Sequence, residues 1–215
     1  MLNSIQTSYS ENILVVLTRL VLIMIMVEPY YNQENFTKVN FTAQNLIQTE
    51  FENCVFYNCD FSEMNLTRAV FIDCIFETCN LSMANLNQVK MDNGQFRSCK
   101  LLGINFSTCS DFLFSVTFTD CILDYCVFIK KKLKATTFKN CSLKEVNFSE
   151  CGLSAVNFTG SDLNRAIFRQ TNLEKADFRE AQNFSIDPES NKLKKTKFSR
   201  TDLSGLLDKY DLQIS

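Results

Sequence analysis

Large apolar residues recur at every fifth position over most of this chain, and this period restricts what it can fold into. The series runs from Phe36 to Phe106, resumes after a skip of two residues as Leu113 to Phe178, and returns at Phe198; seventeen of the 20 Phe residues hold this position. A five-residue period fits neither an α-helix, at about 3.6 residues per turn, nor an unbroken β-strand, at about 2. Each repeat must be a short extended piece followed by a turn, which predicts a solenoid.

Small residues recur two positions before each large one. Residues two apart in an extended segment point to the same side, so both positions should share the interior. The cysteines test this prediction: Cys54, Cys59, Cys74, Cys79, Cys99, Cys121, Cys126, Cys141 and Cys151 all precede a large apolar residue by two, and Cys109 keeps the phase. Free Cys is a small buried hydrophobe. We therefore expect free thiols, rather than disulfides or a metal site, in a reducing cytoplasm.

A longer period lies within the first one. If four five-residue sides close one square coil, residues 20 apart stack on each other. Phe118, Phe138, Phe158 and Phe178 should then form one ladder on a single wall, and Phe36, Phe56, Phe76 and Phe96 should form another. Such a core leaves no room for a ligand, because the large side chains fill it at protein density.

Three segments carry a resemblance to a known family. Ala84-Asn85-Leu86, Ala176-Asp177-Phe178 and Ser161-Asp162-Leu163 resemble the A(D/N)LXX motif of the pentapeptide-repeat family. The resemblance implies an all-β fold, a right-handed quadrilateral β-helix with short helical caps. The handedness is implied by the family and does not follow from the spacing.

The pattern divides the chain into three parts. Residues 1–33 are interpreted as an N-terminal extension or cap, 34–203 as the repeat solenoid, and 204–215 as a C-terminal capping or dimerisation tail. The apolar run 13–27 is shorter than the roughly 20 residues of a membrane helix. We interpret it as an added helix or as sequence ahead of a start at Met24 or Met26; a membrane anchor is the alternative.

The period skips two residues near 107–112. We expect it to resume from Leu113, with Asp111 in an inward slot and Phe112 and Phe114 surplus. The result would be a local bulge. A recognition knob is the alternative, since loops on rigid scaffolds often carry function.

Two further positions depart from the pattern. Lys131 falls at a nominally inward position, and we expect its ammonium group to reach water. After Phe178 the repeat lapses and returns in phase at Phe198 and Leu203, which predicts one irregular final coil.

Composition and motifs argue against catalysis. The chain has no His, which excludes histidine catalysis and histidine metal ligation. It has no Gly-rich phosphate loop and no nucleophile motif, so we assign no catalytic, cofactor-binding or metal-binding residue and expect no small-molecule ligand. The outer surface of the rod is left as the region that can bind a partner.

The pattern also resembles the Qnr quinolone-resistance group of this family. That resemblance implies a rod that mimics DNA, binds DNA gyrase or topoisomerase IV, and protects it from quinolones or toxins. Acidic residues of the first half would form the binding surface: Glu50, Glu52, Asp60, Glu63, Asp73, Glu77 and Asp92. The alternative is a structural or interaction module with an unassigned partner. Direct nucleic-acid binding is not favoured, because net charge is only −2 and no basic arm is present.

The C-terminal tail has two possible roles. Its apolar residues are Leu206, Leu207, Tyr210, Leu212 and Ile214. They could cap the open end of the solenoid, or join two chains end to end in a two-fold homodimer. We favour the dimer, which the resemblance to the Qnr group implies and which would bury the open edge on both subunits.

Overall fold

The fold is described by a computed structural model, which covers residues 29–210 and 212–213. Its strands are β1 Tyr30–Asn32, β2 Asn35–Thr37, β3 Glu50–Glu52, β4 Val55–Tyr57, β5 Val70–Ile72, β6 Ile75–Glu77, β7 Lys90–Asp92, β8 Gly94–Arg97, β9 Val116–Thr119 and β10 Phe138–Lys139. Short 3-10 helices span Phe106–Thr108, Arg200–Leu206 and Asp208–Tyr210. Within these described residues, no helix is long and apolar enough to cross a membrane.

The strands form a parallel β-solenoid with four faces. The first face is the sheet β1-β3-β5-β7, and the second face is the sheet β2-β4-β6-β8-β9-β10. The third face is joined by parallel bridges such as Asn40↔Asp60, and the fourth by bridges such as Asn65↔Asn85. Partners in these pairs are 20 residues apart on every face, so the predicted four-sided coil is confirmed.

The faces differ because their outward residues differ. β4, β5 and β6 carry Val, Ile and Tyr side chains that favour extended strands. On the third face, Asp60 and equivalent residues bend the chain, since the Ser62 amide donates to Asp60 Oδ1 at 2.9 Å. Such Asx turns shorten the extended piece to a single bridge.

Stacked phenylalanines fill the core as the 20-residue period predicts. Ring centroids of Phe118 and Phe138 lie 5.2 Å apart, those of Phe138 and Phe158 5.4 Å, and those of Phe158 and Phe178 4.8 Å. Phe96 stacks on Phe118 at 5.1 Å across a coil of 22 residues. The ladder therefore passes through the two-residue insertion without interruption.

Both ends of the solenoid differ from the predicted boundaries. Strand β1 already pairs with β3, so the coils begin before residue 34. At the other end Phe198 stacks on Phe178 at 5.3 Å, which confirms the return to phase there. The placement of Leu203 in the repeat is wrong: it is exposed within the 3-10 helix Arg200–Leu206, which takes the chain out of the coil. Residues 1–28 and the interpretations placed on them lie outside the described part of the chain.

The ten cysteines are free and buried at the small inward positions. Along one column the Cys59 amide donates to Cys79 Sγ at 3.4 Å, while Cys79 Sγ donates to the Phe56 carbonyl at 3.3 Å. The Ser161 hydroxyl replaces a thiol higher in this column, accepting from the Cys141 amide at 2.9 Å. Small polarizable side chains thus satisfy backbone groups at corners. Among the residues described, no cluster of His, Cys, Asp or Glu could hold a metal ion.

Burial makes three of these thiols weaker acids. It raises the pKa of Cys74, Cys126 and Cys151 from 9.0 to about 12. Cys126 also donates from Sγ to the Leu101 carbonyl at 2.9 Å. Between pH 9 and 12 the unfolded chain therefore loses thiol protons that the folded chain keeps, and the free energy of unfolding falls as pH rises.

We expect Cys126→Ala to reduce this pH dependence. Ala84 and Ala166 occupy the same column, so alanine fits the position. The stability difference between wild type and the variant should shrink by about 2 kcal/mol between about pH 8 and about pH 10.5, measured by urea unfolding. A difference that stays constant over this range would contradict a shifted thiol pKa.

Candidate protein-binding surface

Part of the predicted acidic surface comes together at one edge of the rod. Glu50 and Glu52 lie on β3, Asp92 ends β7, and Asp73 follows β5. Glu52 and Asp92 share one column, because both pair with Ile72. Glu52, Asp73 and Asp92 lie where the first face meets the second, and we call these three residues the acidic corner.

The other three predicted residues lie elsewhere. Glu77 ends β6 on the second face, Asp60 forms a bridge on the third face, and Glu63 lies in the turn that follows it. The seven carboxylates are therefore distributed over three faces, and only the acidic corner and the adjacent Glu50 form one surface.

Neighbouring side chains orient the carboxylates of the acidic corner. The Tyr30 hydroxyl donates to Glu52 Oε2 at 2.6 Å, and this bond raises the pKa of Tyr30 to about 12. Asn93 Nδ2 donates to Asp73 Oδ1 at 2.8 Å, and Ser115 Oγ donates to Asp92 Oδ1 at 2.9 Å. Neutral donors leave the negative charges in place, so this edge retains an anionic character.

The predicted bulge lies on the first face, in the segment between β8 and β9 that stacks on β7, but its residues are arranged differently from the prediction. Leu113 does not resume the repeat: it is 54% exposed and has a φ of 58°. Phe114 is not surplus, since it packs against the core with its ring 6.4 Å from that of Phe106. Asp111 points outward and is exposed, as is Phe112 at 68%. Phe114 therefore fills the interior space that was predicted for Asp111, whose carboxylate is exposed to solvent.

The expectation that the Lys131 ammonium reaches water is wrong. The side chain is 2% exposed, and Nζ donates to the Cys109 carbonyl at 2.5 Å and to Asp111 Oδ1 at 2.7 Å. These acceptors replace water, so the ammonium group can stay inside. Sequence reasoning missed the pairing because the acceptors arise only from the shape of the bulge.

The C-terminal tail closes one end of the rod and leaves apolar side chains outside. Leu206 packs against the core, whereas Leu207, Tyr210 and Leu212 are exposed. Ile214 lies outside the described residues.

An ion-pair cluster fastens this tail to the final coil. Lys209 Nζ lies 2.6 Å from Asp187 Oδ1 and 2.7 Å from Glu189 Oε2, and the Tyr210 hydroxyl donates to Glu189 Oε1 at 3.1 Å. The Ile186 amide also donates to the Gly205 carbonyl at 2.9 Å. The exposed apolar residues of the tail are thus held in a defined place.

A patch on the third face was not predicted. Met83, Ile122 and Tyr125 are 63%, 44% and 58% exposed, with the half-buried Leu102 beside them. The signal in the sequence is a run of large apolar residues at outward positions of the repeat, where polar residues are usual.

Comparison with known proteins gives consistent results for the repeat. The family model described as pentapeptide repeat region matches residues 49–128, 89–178 and 131–206, which together run from 49 to 206. No curated protein matches the sequence. Solved structures of QnrB1, described as a plasmid-mediated fluoroquinolone resistance protein, are similar in fold. Two trypsin-treated variants of it have TM-scores of 0.61 and 0.57; each is 20% identical and covers 87% of this chain and 98% of its own.

Proposed function

This chain belongs to the pentapeptide-repeat family, and from that premise we propose that it is a non-catalytic protein-binding rod whose partner is a type II topoisomerase. Folds of this family are generally non-catalytic. QnrB1, which shares the fold, is described as a fluoroquinolone resistance protein, and the resemblance to the Qnr group connects such rods with DNA gyrase and topoisomerase IV. Protection of these enzymes from quinolones or toxins is the function we propose for this chain, in a cytoplasm where its thiols stay reduced.

The acidic corner is the observation that carries the proposal. Successive coils are spaced by about 4.8 Å, so Glu52, Asp73 and Asp92 place negative charge repeatedly along one edge of a narrow rod. Phosphates of one DNA strand are spaced by about 3.4 Å along the helix axis. A groove that binds DNA through basic side chains would attract such an edge. The second half of the rod is more basic, so we assign the contact to the first half.

A supercoiling assay tests this function. Purified protein added to DNA gyrase inhibited by ciprofloxacin should restore supercoiling in proportion to its concentration. The triple variant Glu52→Gln, Asp73→Asn, Asp92→Asn should require at least ~10-fold more protein, because three favourable charge contacts are removed. Amide oxygens can still accept the hydrogen bonds from Tyr30, Asn93 and Ser115, so the fold should be kept.

A matched control separates position from net charge. The variant Glu145→Gln, Glu174→Gln, Glu180→Gln removes as many charges from the second half and should rescue like wild type. Absence of rescue by wild type at every concentration would contradict the topoisomerase proposal. Equal rescue by both triple variants would contradict the role of the acidic corner.

We also propose a homodimer through the C-terminal end. Leu203, Leu207, Tyr210 and Leu212 expose apolar surface at one end of the rod, next to a final coil that has no further coil stacked on it in the described chain. A two-fold contact would cover both. It would also leave the acidic corner of each subunit at the far end, available to the partner.

Light scattering at micromolar concentration should give twice the chain mass of 24.8 kDa. Leu207→Asp should shift the protein to monomer, because the contact would bury an unpaired charge. Ile122→Asp, at a similarly exposed apolar residue away from the tail, should remain dimeric. A monomer mass for wild type would refute the dimer.

The bulge supports a second candidate function, an interaction module for a partner other than a topoisomerase. Phe112 and Leu113 project from the first face as the only adjacent pair of large exposed apolar residues among those described. Pull-down from the native host distinguishes the two, since recovery of gyrase or topoisomerase IV subunits favours the first.

A further inference from the structure

Lys131 occupies an inward position at which every other described coil has a shorter side chain. It lies two residues before Leu133, in a column of inward residues on the fourth-to-first corner. The other members of this column are Thr49, Ala69, Val89, Cys109, Cys151, Thr171 and Asn191. A long cationic side chain therefore stands where the repeat elsewhere places a short one.

The contacts of the Lys131 ammonium come from one segment of the preceding coil. Nζ donates to the Cys109 carbonyl and to Asp111 Oδ1, and it lies 4.9 Å from the centroid of the Phe114 ring. These three residues surround the two exposed residues Phe112 and Leu113. The lysine thus contacts the bulge on both sides of its tip.

Energetics indicate that the lysine serves the bulge rather than the stability of the rod. Removing an ammonium group from water costs several kcal/mol, and a buried ion pair is often no more stable than apolar residues of similar size. A small residue at this position, as in the rest of the column, would avoid that cost. What the ion pair provides instead is a fixed conformation, because Asp111 and the Cys109 carbonyl must stay in place to satisfy the charge.

Further hydrogen bonds hold both ends of the bulge. The Ser110 amide donates to the Val89 carbonyl at 2.9 Å, and the Ser115 amide donates to the Met91 carbonyl at 2.8 Å. Between them, Phe112 and Leu113 are 68% and 54% exposed. A pair of apolar side chains is thereby presented to solvent on a restrained loop, which lowers the entropy that binding would cost.

We propose that the bulge 110–115 is a preorganised apolar docking knob for a protein partner and that Lys131 is its positioning residue. The inference rests on the proposed function only in that the chain acts by binding a protein. Lys90, Lys132 and Lys134 are exposed on the same face in the coils on either side. Of the carboxylates at the bulge, Asp111 is paired with Lys131 and Asp92 accepts from Ser115, so positive charge predominates around the tip. The partner that fits is therefore a protein with an apolar pocket whose edge carries acidic side chains.

Limited proteolysis tests the positioning role without any partner. Lys131→Met keeps the length of the side chain and removes its charge. Chymotrypsin cleavage after Phe112 or Leu113 should become at least ~10-fold faster, while the urea midpoint of unfolding falls little or rises. Lys132→Met, at the adjacent exposed lysine, should be cleaved at the wild-type rate.

The same assay can overturn the role. Cleavage of Lys131→Met at the wild-type rate would show that the lysine does not position the bulge. If that variant fails to fold, Asp111→Asn replaces it, because Asp111 is exposed and the asparagine oxygen can still accept from Lys131 while the counter-charge is lost. Asp111→Asn should be cleaved several-fold faster than wild type, and a wild-type rate would leave Lys131 with a structural role only.

Photo-crosslinking in the host tests the knob itself. The probe is p-benzoylphenylalanine placed at Phe112, with the same probe at the similarly exposed Tyr125 as control. We expect a protein adduct from position 112 that falls at least ~10-fold when Lys131→Met is added, although the probe is unchanged. No adduct at 112, or an adduct insensitive to Lys131→Met, would overturn the knob.

The identity of the adduct separates this inference from the proposed function. A topoisomerase subunit, captured only when Lys131 is present, supports both. A different protein with the same Lys131 dependence supports the knob and counts against the topoisomerase. Rescue of gyrase without any adduct at 112 supports the acidic corner and overturns the knob.

Discussion

Stacking of each large inward side chain on its equivalent in the next coil is the constraint on which this structure depends. Rings 20 residues apart lie about as close as parallel strands do, so each phenylalanine is followed in the next coil by another large apolar residue. The residues that share the interior with these large side chains must then be small. Cys meets this need, and it also forms hydrogen bonds with the backbone at the corners. The interior is filled by these requirements, and variation is left to the outside.

The 22-residue coil shows how the constraint tolerates an insertion. Phe96 still stacks on Phe118, and the third and fourth faces keep their bridges across the insertion. The two extra residues are displaced outward onto the first face. Phe114 and Lys131 fill the space that a regular repeat would have filled, and Phe112 is exposed to solvent. An insertion that shifted the register would have disrupted the stacking of inward residues in every coil that follows.

The sequence was sufficient to predict the coil, because its evidence is a periodicity repeated many times. The ladder through Phe138, the inward cysteines and the return to phase at Phe198 all follow from counting in fives. Single departures were harder. Leu113 is apolar and precedes Phe118 by five residues, yet its side chain faces solvent, and Leu203 keeps the phase although the chain there has entered a 3-10 helix.

The candidate surface was predictable only in part. Acidity of the first half is visible in composition, but the face of each carboxylate depends on its position within a 20-residue coil. Glu52 and Asp92 differ by two full coils and share a column, whereas Glu63 lies about half a coil away. The pairing of Lys131 with Asp111 could not be predicted, because the bulge that brings them together has no repeat to define its geometry.

Residue-resolved amide hydrogen exchange across residues 90–130 tests the central claim most directly. The account predicts slow exchange at Gly94, Ser98, Ile122 and Val127, whose amides donate to carbonyls in the adjacent coil across the insertion. It predicts fast exchange confined to the exposed tip of the bulge at Phe112 and Leu113. Fast exchange throughout 94–127 would mean that the register is lost at the insertion, and it would contradict a continuous core beneath a restrained knob.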